Sequence, residues 1–184
     1  MELATRDDWR AWLDVHHDKS PGVWLLIAKR GSARQTVSYA EALEVALCYG
    51  WIDGQKQRRD DNCWLQKFTP RGARSVWSKL NRQRAEELIT SGEMRPKGLA
   101  EVERAKADGR WADAYDSPRT AVVPGDLQAA LEAHPEAKAF FETLNSANRY
   151  AVIWRLQTAK KAETREGRLG QFIEMLERHE KLHP

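Results

Sequence analysis

Cysteine is nearly missing from this chain: Cys48 and Cys63 are the only two in 184 residues, and they form no CxxC pattern. That excludes a disulfide scaffold and the paired-thiolate zinc motifs, and two free thiols in a reducing compartment are expected. No stretch reaches the roughly 18 consecutive apolar residues that would span a bilayer, so no membrane insertion is expected. Met1 to Trp12 carries Glu2, Asp7 and Asp8 and no apolar run, unlike a secretory signal, and a cytoplasmic location is expected. Walker loops, GxGxxG turns, nucleophile elbows and a spaced cysteine–histidine dyad are all missing. The histidines build no metal site either. His16 and His17 are adjacent and diverge on a helix, while His179 and His183 lie in the tail without a third ligand. Neither a metal nor another cofactor is expected.

What is present belongs to a globular protein. Hydrophobic residues make up 41% and charged residues 31%, clear of the composition of disordered chains. Eight tryptophans supply large apolar area, each with an N–H that wants an acceptor. The net charge is only +3, so an argument about anionic partners rests on local clustering. The clustering is there. Gln55 to Arg84 holds nine basic residues against Asp60 and Asp61, a local +7 that leaves the remaining chain at −4. A second basic stretch, Arg149 to Arg168, has a local +4.

Thr5 with Asp8 opens a helix that ends before Ser20-Pro21-Gly22, and Val23 to Ile27 reads as a buried strand. Thr36-Val37 reads as a strand remnant. Ser38 to Glu41 forms a capping box for a helix that Gly50 ends in the left-handed region. Trp51 to Arg59 and Cys63 to Thr69 read as a hairpin, with Trp64 and Phe68 on one face. Ser75 is expected to cap a helix reaching Thr90, with Leu80, Leu88 and Ile89 inward. Pro96 opens the next helix, and Gly109 closes it. Beyond Ser117-Pro118 strands disappear, and four helices follow: 126–133, 135–144, 146–160 and 163–178. In the third of these Tyr150, Ala151 and Trp154 form an apolar stripe. The fold class is α+β: an N-terminal domain, 1–116, with a small antiparallel sheet, then an all-helical domain, 117–184.

Three ordered stretches carry a family resemblance. They are Ala42-Leu43 through Cys48-Tyr49-Gly50-Trp51-Ile52-Asp53-Gly54-Gln55, then Phe68-Thr69-Pro70-Arg71 with Ser75, Trp77-Ser78 and Asn81, then Asn148-Arg149-Tyr150-Ala151 with Gln157 to Lys161 and Glu163-Thr164-Arg165. With Ser20-Pro21-Gly22-Val23-Trp24-Leu25 they resemble the YdeI/OmpD-associated, bacteriocin-protection family over nearly the whole chain. The resemblance implies protection against bacteriocins or similar cationic toxins, a form of stress response, and assigns no catalytic residue.

The candidate ligand site lies in the basic segment. Arg71, Arg74, Ser75 and Ser78 surround the expected helix start, where unbonded N–H groups and guanidinium forks hold oxyanions. Trp51 or Trp77 would wall it, and Asp53, between two glycines, would lie within reach of an arginine. Tyr49, Gln55 and Asn81, from the motifs above, complete the set. The expected partner is a small anionic molecule. A nucleic-acid module using residues 55–84 and the helices at 149–168 is the first rival, with weak and non-specific binding. A hydrolase or transferase using Asp53 is the second. A protein partner gripped by exposed tryptophans is the third.

Overall fold

The computed structural model describes residues 1–184. The elements follow in the order α1 (Arg6–His16), β1 (Val23–Ala28), α2 (Tyr39–Cys48), β2 (Trp51–Arg58), β3 (Cys63–Pro70), α3 (Lys79–Thr90), α4 (Pro96–Ala107), α5 (Gly125–Ala133), α6 (Pro135–Thr143), α7 (Ser146–Gln157) and α8 (Ala162–Glu177). Eight helices and one three-stranded antiparallel sheet make the protein α+β. The chain divides into two compact units, one of Met1–Trp77 with Asn81–Ala112, the other of Ser78–Leu80 with Asp113–Pro184.

In the first unit both expected capping boxes form, Thr5 with Asp8 on α1 and Ser38 with Glu41 on α2. The sheet order is β1-β3-β2, so the hairpin partner β2 is an edge strand. Asp53 faces Phe68 and Lys56 faces Gln66, which leaves Gly54 and Gln55 opposite Lys67 in a bulge. The buried Gln66 fills it: its Nε2 donates to the carbonyls of Gly54 and Gln55 at 3.0 and 3.3 Å. Bulge and cations together blunt this edge against foreign strands. The other edge is covered locally, since the Leu26 N–H donates to Met1 O and the Met1 ammonium to Trp24 O. One face of the sheet meets the helices through Trp9, Trp51, Phe68, Leu25 and Ile27, all 1% exposed or less.

Helix α4 lies close against the end of α2. Gly50, at φ +70°, turns the chain into β2, and a Cβ on Gly98 would stand 2.3 Å from the Cys48 carbonyl. That carbonyl accepts the Arg95 N–H. The two cysteines are free and buried, and burial lifts the Cys48 thiol to about 11.

Two expectations fail here. Thr36-Val37 forms no strand; Val37 instead donates its N–H to Leu3 O. The helix expected from Ser75 begins at Lys79. A helix through Ser75 needs the Ser75 carbonyl to accept the Lys79 N–H, but that carbonyl takes Arg110 Nη1 at 2.7 Å and Lys79 N–H goes to Tyr115 O. Leu80, on the first turn, is 44% exposed rather than inward.

The second unit buries Leu127, Leu131, Phe141, Val152, Leu156 and Leu176 in one cluster shared by α5 to α8. Asn145 caps α7 by accepting the Asn148 N–H. Arg165 on α8 holds Asp126 at the first turn of α5 in a two-pronged ion pair of 2.6 and 2.8 Å.

Candidate functional site

Nine of the ten residues expected to form the site fall in the first unit, and Ser78 in the second. They do not gather into an open anion clamp. Arg71 is only 5% exposed; its guanidinium lies 3.5 Å from the ring centre of Trp77, and Nη1 donates to Val76 O. Trp77 is buried and meets Trp111 edge-on at 4.9 Å. Arg110, 4% exposed, pairs with Asp108 besides holding Ser75 O. These arginines close the 71–77 loop from inside. Arg74 is exposed on its turn, and Ser75 Oγ accepts the Gly72 N–H four residues before α3 begins.

Trp51 sits in the core with Nε1 donating to His17 O, so it walls no pocket. Asp53 accepts the Tyr39 hydroxyl at 2.7 Å, the place where an arginine was expected. Tyr49 is buried and donates to Asp14; burial first, and the Asp14 bond next, raise its phenol above the usual range. Gln55 is exposed on β2, and Asn81 is buried on α3. The basic segment is also largely committed within the chain: Arg58 to Asp61, Lys79 to Asp116, Arg82 to Trp111 O, Lys56 over Trp64 and Lys67 over Trp24.

The concave, apolar site lies elsewhere, on α7 in the second unit. Along this helix Val152, Ile153 and Leu156 enter the core, while Ala147, Tyr150, Ala151 and Trp154 line a cavity of about 480 Å³. Pro118 and Ser146 close its walls, and Arg155 and His183 stand on its lining with no carboxylate among them. Three contacts fix its shape. Tyr150 donates to Asp116 O at 2.8 Å. Trp154 meets Tyr115 edge-on at 6.0 Å. Asn148 takes His183 in two backbone hydrogen bonds, from Nδ2 to the carbonyl and from the His183 N–H to Oδ1. Burial pushes the Tyr150 phenol up to about 12, so it stays a neutral donor. The Arg155 guanidinium makes one hydrogen bond, from Nη1 to Ala151 O on its own helix, while its backbone carbonyl accepts Arg168 Nη1.

From sequence alone Tyr150, Ala151 and Trp154 read as one apolar stripe, which would face the core. The signal against it was present, since Val152, Ile153 and Leu156 form a second stripe on the same helix. One helix cannot turn both stripes to one core. Pro118 and His183 left no such signal, because they reach the cavity through the path of the backbone.

Two family models match the chain. Residues 1–101 match a domain of unknown function (DUF8412), and residues 120–179 match the family described as bacteriocin-protection, YdeI or OmpD-associated. No curated protein and no solved structure matches the chain. The second match is narrower than the motifs implied, because the stretches before residue 101 fall in the first family. The chain therefore belongs to the DUF8412 family, whose model matches its first 101 residues, and its helical C-terminal part carries a match to the bacteriocin-protection, YdeI or OmpD-associated family.

Proposed function

We propose that the protein is a non-catalytic receptor for a small molecule with an apolar body and an anionic head, bound in the α7 cavity. The observation that carries this reading is the cavity's make-up. About 480 Å³ lies within the range of small-molecule sites, and the aromatic rings of Tyr150 and Trp154 offer flat apolar contact. Arg155 is the cationic group on the lining, and the lack of any acid there favours a negative head. The expected partner thus stays a small anion, but its seat moves from residues 49–81 to α7, because Arg71 is turned inward to the 71–77 loop. Sequestering such a molecule fits a protective or stress role, and two buried free thiols suit the cytoplasm.

Calorimetric titration of the whole chain with naphthalene-2-carboxylate, and with the uncharged carboxamide, tests this. Binding of the acid is expected. Trp154→Ala should abolish it, and Arg155→Gln should remove the preference for acid over amide. Acid binding that survives Trp154→Ala unchanged would refute the reading.

A further inference from the structure

The α7 cavity does not end at Tyr150. A second hollow of about 380 Å³ shares Pro118, Ser146 and Tyr150 with the first and continues along Ala121, Val123, Leu144 and Ile153. Tyr150, its hydroxyl pinned to Asp116 O, lines both lobes. Each lobe carries one arginine, and the two differ in what they are already doing. Arg149, in the second lobe, gives Nε to Leu144 O and Nη2 to Glu142 O, satisfying the carbonyls at the end of α6. Arg155, in the first lobe, gives only Nη1, to a carbonyl already bonded along its helix.

Resting on the function proposed above, we infer that the ligand is a linear amphiphile, an acyl-chain carboxylate. Its head sits at Arg155 and its chain passes the edge of Tyr150 into the lobe of Val123, Leu144 and Ile153. A compact aromatic acid fills the first lobe alone. A linear chain fills both, and the asymmetry of the two arginines fixes its direction. No acidic side chain lines either lobe, so the chain meets no carboxylate on its way.

The test is a calorimetric series from hexanoate to dodecanoate, each below its micellar concentration, on the whole chain and on two variants that plug the second lobe, Ala121→Trp and Val123→Trp. In the unaltered protein affinity is expected to rise about fourfold for each added methylene that enters the second lobe. In both plugged variants the rise stops early, while hexanoate binds as before. Circular dichroism first establishes that the variants fold, and two plugs at different positions guard against one that does not. Affinity independent of chain length, or a rise untouched by both plugs, overturns the acyl assignment. If hexanoate and naphthalene-2-carboxylate still bind and still depend on Trp154, the receptor reading survives that result. If no acid binds at all, both fall together.

Discussion

Replacing Gly98 by alanine should destabilise the first unit, although helix propensity alone says the reverse. In a helix interior alanine is better than glycine by about 1 kcal/mol. At Gly98, however, a Cβ would stand 2.3 Å from the Cys48 carbonyl oxygen and 2.4 Å from Met94 Sδ. The thioether can swing aside, but the carbonyl is backbone. It is held by the Arg95 N–H at 3.0 Å, so moving it forfeits a hydrogen bond worth about 1 kcal/mol. Prying α4 from the end of α2 adds an overpacking cost of about 1–3 kcal/mol. Net destabilisation of about 2 kcal/mol is the expected result. Gly167 and Gly170 on α8 are the controls, being exposed, with nothing within 4 Å of a Cβ. There the same substitution should stabilise the second unit by about 1 kcal/mol each. Urea unfolding reads both, because seven of the eight tryptophans lie in the first unit and their fluorescence reports on it, while circular dichroism, which sees the helices of both units, adds the transition of the second. A Gly98→Ala protein as stable as the parent, with unchanged denaturant slope, would refute the close packing of α4 on α2.

Two further outcomes follow from the ion pairs and buried cations. The Arg165 hydrogen bonds hold the Asp126 carboxyl below its ordinary range, so the stability it contributes is present above about pH 4 and is lost as pH falls through the depressed value; Asp126→Asn should flatten that part of an acid denaturation curve measured by circular dichroism. Arg71→Met should cost about 3 kcal/mol in urea unfolding, from the lost bond to Val76 O and the lost stacking on Trp77; Arg71→Lys should not restore it, because an ammonium cannot lie flat on the ring, and full rescue by lysine would show that charge alone matters there.

Local signals in the sequence located most of the elements. Two capping boxes, a glycine at φ +70° and an alternating strand are each written within a few residues, and each is where the chemistry puts it. The failures have a common cause. Ser75 has the residue type of a helix cap, but Arg110, thirty-five positions away, takes the carbonyl a helix would need. Arg71 and Arg74 look alike in sequence as two loop arginines. One is buried against Trp77 and the other faces solvent. Charge counted along the chain therefore overstated the anion site at 49–81, because it counted cations already occupied by carbonyls, rings and carboxylates.

Helix α7 shows the other side of the same limit. Its residues Ala147 to Leu156 are apolar on two faces, and nothing local ranks them. What decides is the rest of the unit. Core partners Leu127, Phe141, Phe172 and Leu176 lie on the side of Val152 and Leu156, so Tyr150 and Trp154 are left to a cavity. A helix that is apolar beyond what its core can cover must meet a partner, a ligand or water on the surplus face, and water is the least favourable of the three. Here the surplus is framed by two hydrogen-bonded supports, Tyr150 to Asp116 and Asn148 to His183, which hold the cavity open. A face kept only for packing would have no use for that framing. It is the combination of surplus apolar surface with a fixed frame, and a cation whose donors are not used up, that separates the α7 cavity from the inward-turned arginines of the first unit.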